Sequence, residues 1–124
     1  DWTSKRRQIA QRYLESIKHP SIQLPTAPEG SDSVWHLFPL IVKSNRDSLK
    51  SWLSRHSIHS GVHYPILITD QPALLTAGQP IVFGSLDNAQ RFARQELSIP
   101  IHPYLSDDEV TQIIRVINDW PEQA

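Results

Sequence analysis

Residues 34–56 read VWHLFPLIVKSNRDSLKSWLSRH and predict a strand followed directly by a helix. The first ten residues are rich in aromatic and branched side chains, although Pro39 lacks the N–H that a strand ladder needs, which predicts an edge or bulge position. Asn45 or Asp47 can cap the helix, which would end near His56. Its buried side would consist of Leu49, Trp52 and Leu53.

Two other segments space their apolar side chains as one helical face requires. We expect a first helix over residues 4–18, capped by Thr3 or Ser4, and another that starts at Ser85 or Asp87. The inward side chains would be Ile9, Ala10, Tyr13, Leu14 and Ile17 in the first, and Leu86, Ala89, Phe92 and Ala93 in the second. The outward side chains of the second would be Arg91, Arg94, Gln95 and Glu96.

The last helix carries the clearest start signal in the chain. Ser106 and Glu109 have the spacing of a capping box, in which each side chain binds the other residue's backbone N–H. An apolar stripe follows the box, and the helix is expected to run to about Trp120. That stripe consists of Val110, Ile113, Ile114 and Ile117.

Two more short strands are expected, over residues 58–64 and 97–101. Residues 19–32 and 65–84 contain most of the prolines and glycines and are predicted to be loops. The sequence therefore predicts an α+β fold, in which a small three-stranded antiparallel or mixed sheet is covered by about four helices.

Length and composition limit the classes of protein that are possible. The 124 residues suit one domain, 1–124, and a net charge of −1 disfavours a nucleic-acid partner. No apolar run reaches the roughly 20 residues that span a bilayer, so no membrane partner is expected. There is no cysteine for thiolate catalysis or a disulfide. Because the chain starts at Asp1 rather than Met, we expect it to be processed or part of a longer polypeptide.

A search for catalytic motifs leaves one candidate loop. The sequence has no G-x-S-x-G nucleophile turn and no glycine-rich phosphate loop, and we assign no catalytic residue. His59 and His63 could share one strand face, but no third ligand stands at a diagnostic spacing, so no metal is expected. Residues 63–73 combine His63, Tyr64 and Gln71 with stiff prolines, which suits either a binding loop or a structural crossover.

Four motifs in order carry a resemblance to a known family. They are WHLF at 35–38, HYP at 63–65, QPA at 71–73 and LSIPIHP at 97–103. Together they resemble the C-terminal part of the DegT/DnrJ/EryC1/StrS sugar aminotransferases, and residues 1–18 resemble the helix that links the two domains of those enzymes.

The resemblance implies the C-terminal small domain of a pyridoxal-phosphate enzyme of fold type I. Such enzymes are cytoplasmic homodimers that transfer an amino group from an amino acid to a nucleotide-linked keto sugar. Their catalytic lysine and cofactor-binding groups lie in a large N-terminal domain, which is missing here, so this chain is expected to bind no cofactor and to be inactive alone. The family also includes sugar dehydratases that use pyridoxamine phosphate.

The resemblance also implies substrate contacts. Trp35 and His36 would lie on the strand that backs the site, His63 and Tyr64 would begin the loop that closes over the nucleotide sugar, and Gln71 would contact it. The first helix and the strand face near Trp35 are expected to be apolar, because they would pack on the large domain or the dimer partner. The alternative is a stand-alone, non-catalytic binding or regulatory module of the same fold.

Overall fold

The computed structural model describes residues 1–78 and 81–122, in which helices and strands alternate along the chain. The predicted start of every long helix is correct to within two residues. In chain order the elements are α1 (Trp2–Ser16), β1 (Ile22–Gln23), β2 (Phe38–Val42), α2 (Arg46–Arg55), a 3₁₀ turn (Ile68–Asp70), α3 (Pro72–Ala77), α4 (Asp87–Gln95), β3 (Glu96–Ile99) and α5 (Asp107–Asn118).

The sheet confirms the predicted fold class, since three antiparallel strands lie in the order β1-β2-β3. In the register, Ile22 faces Val42 across one ladder, and Leu40 faces Leu97 across the other. Pro39 is therefore in the central strand and not in an edge strand. Its missing N–H is tolerated because β1 reaches only Ile41, which leaves β2 without a neighbour on that side at Pro39.

One predicted strand is wrong and another was missed. Residues 58–64 form only an isolated bridge between Gly61 and Ser98, because the chain leaves the sheet again after one pair. The third strand is β1, which lies inside the predicted loop 19–32. A strand of two residues is too short to show a period of two in the sequence.

The core lies between the sheet and the helices. Tyr13 of α1 meets Phe38 of β2 edge to face, with ring centroids 5.1 Å apart. Burial raises the pKa of the Tyr13 phenol, whose hydroxyl donates a hydrogen bond of 2.9 Å to the Pro100 carbonyl. Fully buried aliphatic side chains from four elements surround this pair, namely Leu40, Leu49, Leu53, Leu97 and Ile117.

The helix starts are fixed largely by side-chain caps. Asn45 caps α2 by accepting from the Ser48 N–H at 3.1 Å, and the predicted capping box of Ser106 and Glu109 is present in α5. The cap of α1 is Asp1 rather than Thr3 or Ser4, since its carboxylate accepts from the backbone N–H of Thr3. An acidic group at this position also complements the helix dipole.

The segment predicted as the loop 65–84 is partly helical, since it contains the 3₁₀ turn and α3. Residues 79 and 80 of that predicted loop lie outside the described residues. In α4, which follows, the expected inward face is mostly wrong: Ala93 is buried, whereas Ala89 is exposed and Phe92 is 41% exposed. The helix therefore touches the domain along a narrow strip.

Across the described ranges, none of the helices combines the length and the apolar character that crossing a bilayer would require.

Candidate functional site

A groove of about 610 Å³ lies between the start of α1, the end of β3 and the start of α5. Its apolar floor includes Ile58, Ile99 and Ile113. Side chains that can carry positive charge stand around it, namely Arg6, His36, His59, His63 and His102. A concave apolar site with a few convergent polar groups is typical of small-molecule pockets, and the volume is in their usual range.

His63 is held by the sheet at the edge of this groove. Its backbone N–H donates to Oε2 of Glu96 at 2.6 Å, and its Nδ1 lies 4.0 Å from Oε1 of the same carboxylate. Nδ1 is buried and has no hydrogen-bond partner among the described residues. The ring packs on Gly61, where an added Cβ would lie 2.8 Å from Cε1 of His63.

Two of the five predicted substrate residues, His36 and His63, line the same groove. The other three do not line it. Trp35 packs on Phe38 at a centroid distance of 5.2 Å and lines a second cavity, Tyr64 is 72% exposed, and Gln71 is exposed at the start of α3.

Trp35 and His36 also precede β2 instead of lying on the strand as expected. The backbone of Trp35 has a φ of +48°, in the left-handed region that bulky residues rarely adopt. This conformation lets Trp35 face the second cavity, of about 500 Å³, which His36 and Leu37 line as well. His36 therefore stands between the two cavities.

Glu96 is the residue that sequence analysis missed. The pattern placed it on the outer face of the helix that begins near residue 86, but α4 ends at Gln95 and Glu96 opens β3 with no exposed surface. The signal was available in part, because Glu96 directly precedes Leu97, Ile99 and Ile101, which alternate as in a strand. Arg6 and His102 were not predicted to share a site with His63 either, since they come from distant parts of the chain, whereas His59 was expected to share a strand face with His63.

Exposed apolar side chains follow His63 along the chain and form a surface on residues 64–78 and 81–83. We call it the apolar loop surface. Its members project large side chains into solvent, from 50% to 91% exposed: Tyr64, Ile66, Ile68, Ile81 and Phe83. Patches of this kind mark surfaces that contact another protein or another domain.

The expected apolar face on α1 and near Trp35 is present only in part. Trp2, Val34 and Leu37 are exposed, but along α1 the exposed positions also include Lys5 and Gln8, so that helix face is mixed. The larger apolar surface lies on the segment that follows His63. Sequence analysis did not locate it, because its members are not periodic.

The carboxylates whose pKa is clearly shifted have structural roles. Hydrogen bonds from the backbone and hydroxyl of Ser106 lower the pKa of Glu109, and the Ser21 hydroxyl, followed by that of Ser44, lowers the pKa of Glu122. Across residues 1–78 and 81–122, no three histidine, aspartate or glutamate side chains converge as a metal site would require.

Solved structures that match this fold include aminotransferases of the DegT type. The structure of DesV from S. venezuelae in complex with a ketimine intermediate matches 96% of this chain with a TM-score of 0.86 and 36% identity, over 32% of its own length. A DegT DnrJ EryC1 StrS aminotransferase from Brucella abortus matches 94% of this chain with a TM-score of 0.83 and 32% identity. The fold is therefore that of an aminotransferase domain.

Residues 1–118 match the model of one family, and the chain belongs to it: the DegT/DnrJ/EryC1/StrS aminotransferase family. The dTDP-3-amino-3,4,6-trideoxy-alpha-D-glucose transaminase of Streptomyces venezuelae is 37% identical over 124 residues, which are 99% of this chain. The dTDP-3-amino-3,6-dideoxy-alpha-D-galactopyranose transaminase of Aneurinibacillus thermoaerophilus is 35% identical over 120 residues. The chain spans 32% of the length of each of these two relatives.

The family depends on pyridoxal phosphate, and the residues present do not fit a complete site for it. The cofactor needs a lysine amine that is desolvated and held in position. All four lysines are exposed, and the Nζ of Lys43 donates to the Pro20 carbonyl at 2.9 Å. No step through the cofactor is therefore assigned to residues of this chain.

Proposed function

We propose that this chain is the small C-terminal domain of a nucleotide-sugar aminotransferase that uses pyridoxal phosphate, and that it helps to close the substrate site. The observation that carries the proposal is the position of His63, which lines the groove and directly precedes the apolar loop surface. A segment placed in this way can contact a ligand on one side and another protein surface on the other. The 32% coverage of the relatives supports a larger parent polypeptide.

Within that polypeptide, residues 1–18 would be the interdomain segment, whose helical part is α1. The part of α1 that docks on this domain is short, since Ile9, Ala10 and Tyr13 are its buried residues. Arg12 adds an ion pair of 2.9 Å to Asp107 of α5. The start of the helix, where Trp2 is 61% exposed, would continue toward the N-terminal domain that carries the lysine and the cofactor.

The substrate residues divide between two roles. His36 and His63 would bind the nucleotide sugar from the groove, because both line it. Tyr64 and Gln71 are exposed and would contact the sugar only after the loop meets the rest of the enzyme. Trp35 would support His36 by its packing on Phe38.

The apolar loop surface supports partners of two kinds. A side chain such as Phe83, 91% exposed, is expected to be covered in a working enzyme. The covering surface would be the N-terminal domain or the second subunit of a homodimer. The substrate would be a nucleotide-linked keto sugar and the donor an amino acid, as the names of the relatives suggest, and the enzyme would be cytoplasmic.

The experiment is to produce the longer polypeptide that contains this sequence and a matched version that stops before it. We expect the longer form to bind pyridoxal phosphate and to transfer an amino group to a nucleotide-linked keto sugar. We expect the version without this domain to retain the cofactor absorbance but to lose turnover. Full turnover by the shortened version would contradict the proposed closing role.

The same experiment decides between the alternatives. A natural polypeptide of 14.2 kDa that binds a nucleotide sugar by itself would favour the stand-alone module. Two relatives carry names of a regulatory kind, an "Erythromycin biosynthesis sensory transduction protein EryC1" and a "Pleiotropic regulatory protein". Loss of a sugar hydroxyl in place of amino transfer would favour the dehydratase reaction.

A further inference from the structure

Glu96 is a buried carboxylate that the fold does not require for its core. It has no exposed surface, and no lysine or arginine forms an ion pair with it among the described residues. Burying a carboxylate without a cation costs free energy unless hydrogen bonds compensate. Glu96 receives two such bonds, from the His63 N–H at 2.6 Å and from the Ser98 hydroxyl at 2.5 Å.

The two carboxylate oxygens have different neighbours. Oε2 accepts from the His63 backbone, while Oε1 accepts from Ser98 and faces Nδ1 of the His63 ring at 4.0 Å. A lone pair on Nδ1 would point at a negative oxygen in a buried place, whereas an N–H there is attracted to it. The carboxylate therefore favours the form of the ring in which Nδ1 carries the hydrogen.

We infer that Glu96 is a positioning residue that fixes His63 in the Nδ1–H tautomer, so that Nε2 offers a bare lone pair to the groove. Since Nδ1 is buried and the side chain retains 31% exposure, Nε2 is the ring nitrogen left for a ligand. A bare Nε2 accepts a hydrogen bond and does not give one. The ligand group opposite it is therefore a donor, and a sugar hydroxyl meets that requirement.

This inference rests on the proposed function for the identity of the ligand, but not for the tautomer. The other groups that line the groove are compatible with the Nδ1–H tautomer of His63. Glu109 is engaged by the Ser106 backbone at 2.7 Å, and Arg6 donates to the Ile101 carbonyl at 3.3 Å. The other imidazoles of the groove belong to His36, His59 and His102.

The first test measures the tautomer in the 124-residue chain without any substitution. Long-range ¹H–¹⁵N correlation spectra at about pH 8, where an ordinary imidazole is neutral, distinguish a protonated from a bare ring nitrogen. We expect the hydrogen of His63 on Nδ1 and a bare Nε2. A spectrum with the hydrogen on Nε2 would overturn the inference, whether or not the parent polypeptide is an aminotransferase.

Glu96→Gln then tests the cause. The His63 N–H still needs an acceptor, so the amide oxygen should occupy the Oε2 position and the NH₂ should face Nδ1. The tautomer should invert, with the hydrogen on Nε2. Glu109→Gln is the matched control, since it removes another carboxylate of the same groove and should leave the His63 tautomer unchanged. An Nδ1–H form that persists in a folded Glu96→Gln chain would disprove the role of Glu96.

The ligand class is tested in the longer polypeptide with a nucleotide-linked keto sugar. His63→Gln places an amide near the Nε2 position and should raise KM only a few-fold, whereas His63→Phe should raise it about tenfold with a smaller effect on kcat. Glu96→Gln should also raise KM, because in the inverted tautomer the Nε2–H of His63 is a donor and faces the sugar hydroxyl, which is also required to donate. Equal KM values for all three variants, in an enzyme that still transfers amino groups, would refute the ligand assignment and leave the proposed function intact.

Discussion

Gly61 and Ser98 exchange both of their backbone hydrogen bonds, with N–H to carbonyl distances of 3.0 Å from Gly61 and 2.8 Å from Ser98. This isolated pair joins the segment before the apolar loop surface to strand β3. It also holds Gly61 close to the ring of His63. The segment before the apolar loop surface is therefore attached to β3 by this pair and by the bond from the His63 N–H to Glu96.

We predict that Gly61→Ala displaces the His63 ring without unfolding the domain. The new Cβ would lie 2.8 Å from Cε1 of His63, closer than a real Cβ contact. Overpacking of this kind costs about 1–3 kcal/mol when the neighbours cannot move freely. Urea denaturation of the two chains measures the loss of stability, and the His63 ring resonances should shift.

A double-mutant cycle supplies the control for that prediction. If the clash with the ring is the cause, Gly61→Ala should cost much less in a His63→Ala background than in the natural chain. An equal cost in both backgrounds would show that the Gly61 backbone itself is the constraint.

We predict that the sheet core, and not the loop, determines the stability of the isolated chain. Leu40 is fully buried in β2, so Leu40→Ala should lower the free energy of unfolding by about 2–5 kcal/mol. Ile68 is 79% exposed, and Ile68→Ala should change the free energy of unfolding by less than about 0.5 kcal/mol. Comparable losses for the two variants in denaturant titrations would mean that the loop packs on the core in solution.

The sequence predicts the long helices of this fold well because their signals are local. Asn45 and the pair of Ser106 and Glu109 bind backbone N–H groups within three residues, so their effect is visible in the pattern. Strands depend on partners elsewhere in the chain. Ile22–Gln23 is a strand because it pairs with Ile41 and Val42, and nothing in a two-residue segment announces that partner.

The site was predicted only in part, because it also depends on partners elsewhere in the chain. Sequence analysis identified His36 and His63, and the fold brings both to one groove, but it could not find that Glu96 lies behind His63 at a separation of 33 residues. It placed Glu96 on a solvated helix face, which is the usual environment of a charged residue. Burial of such a side chain depends on the tertiary structure, which periodicity does not contain.

We predict that the capping box of α5 makes a pH-dependent contribution to stability. The bonds from Ser106 lower the pKa of Glu109 in the folded chain below its ordinary value of 4.5. The contribution is therefore complete above that ordinary value and is lost as the pH falls through the lower, folded value. The difference in unfolding free energy between the natural chain and Glu109→Gln should shrink as the pH is lowered from about 6 to about 3.

The control for the capping box is Glu29→Gln. Glu29 is an exposed carboxylate in the segment between β1 and β2. Chemical denaturation at each pH should give a nearly constant difference in unfolding free energy between this variant and the natural chain. If the Glu109→Gln difference were also constant with pH, the box would not hold the ionised carboxylate in the way that its geometry indicates.

We predict that the apolar loop surface causes self-association of the isolated chain. Phe83 is 91% exposed, and a charge at that position should disrupt an apolar contact without touching the core. Phe83→Asp should therefore lower the light-scattering mass of a concentrated solution toward that of one chain and leave the thermal midpoint unchanged. In the longer polypeptide the same change should weaken assembly or turnover, because the side chain would then be covered. The control is Lys50→Asp, at an exposed position on α2, which should change neither the light-scattering mass of the isolated chain nor the assembly and turnover of the longer polypeptide. An association that persists in Phe83→Asp would place the contact elsewhere.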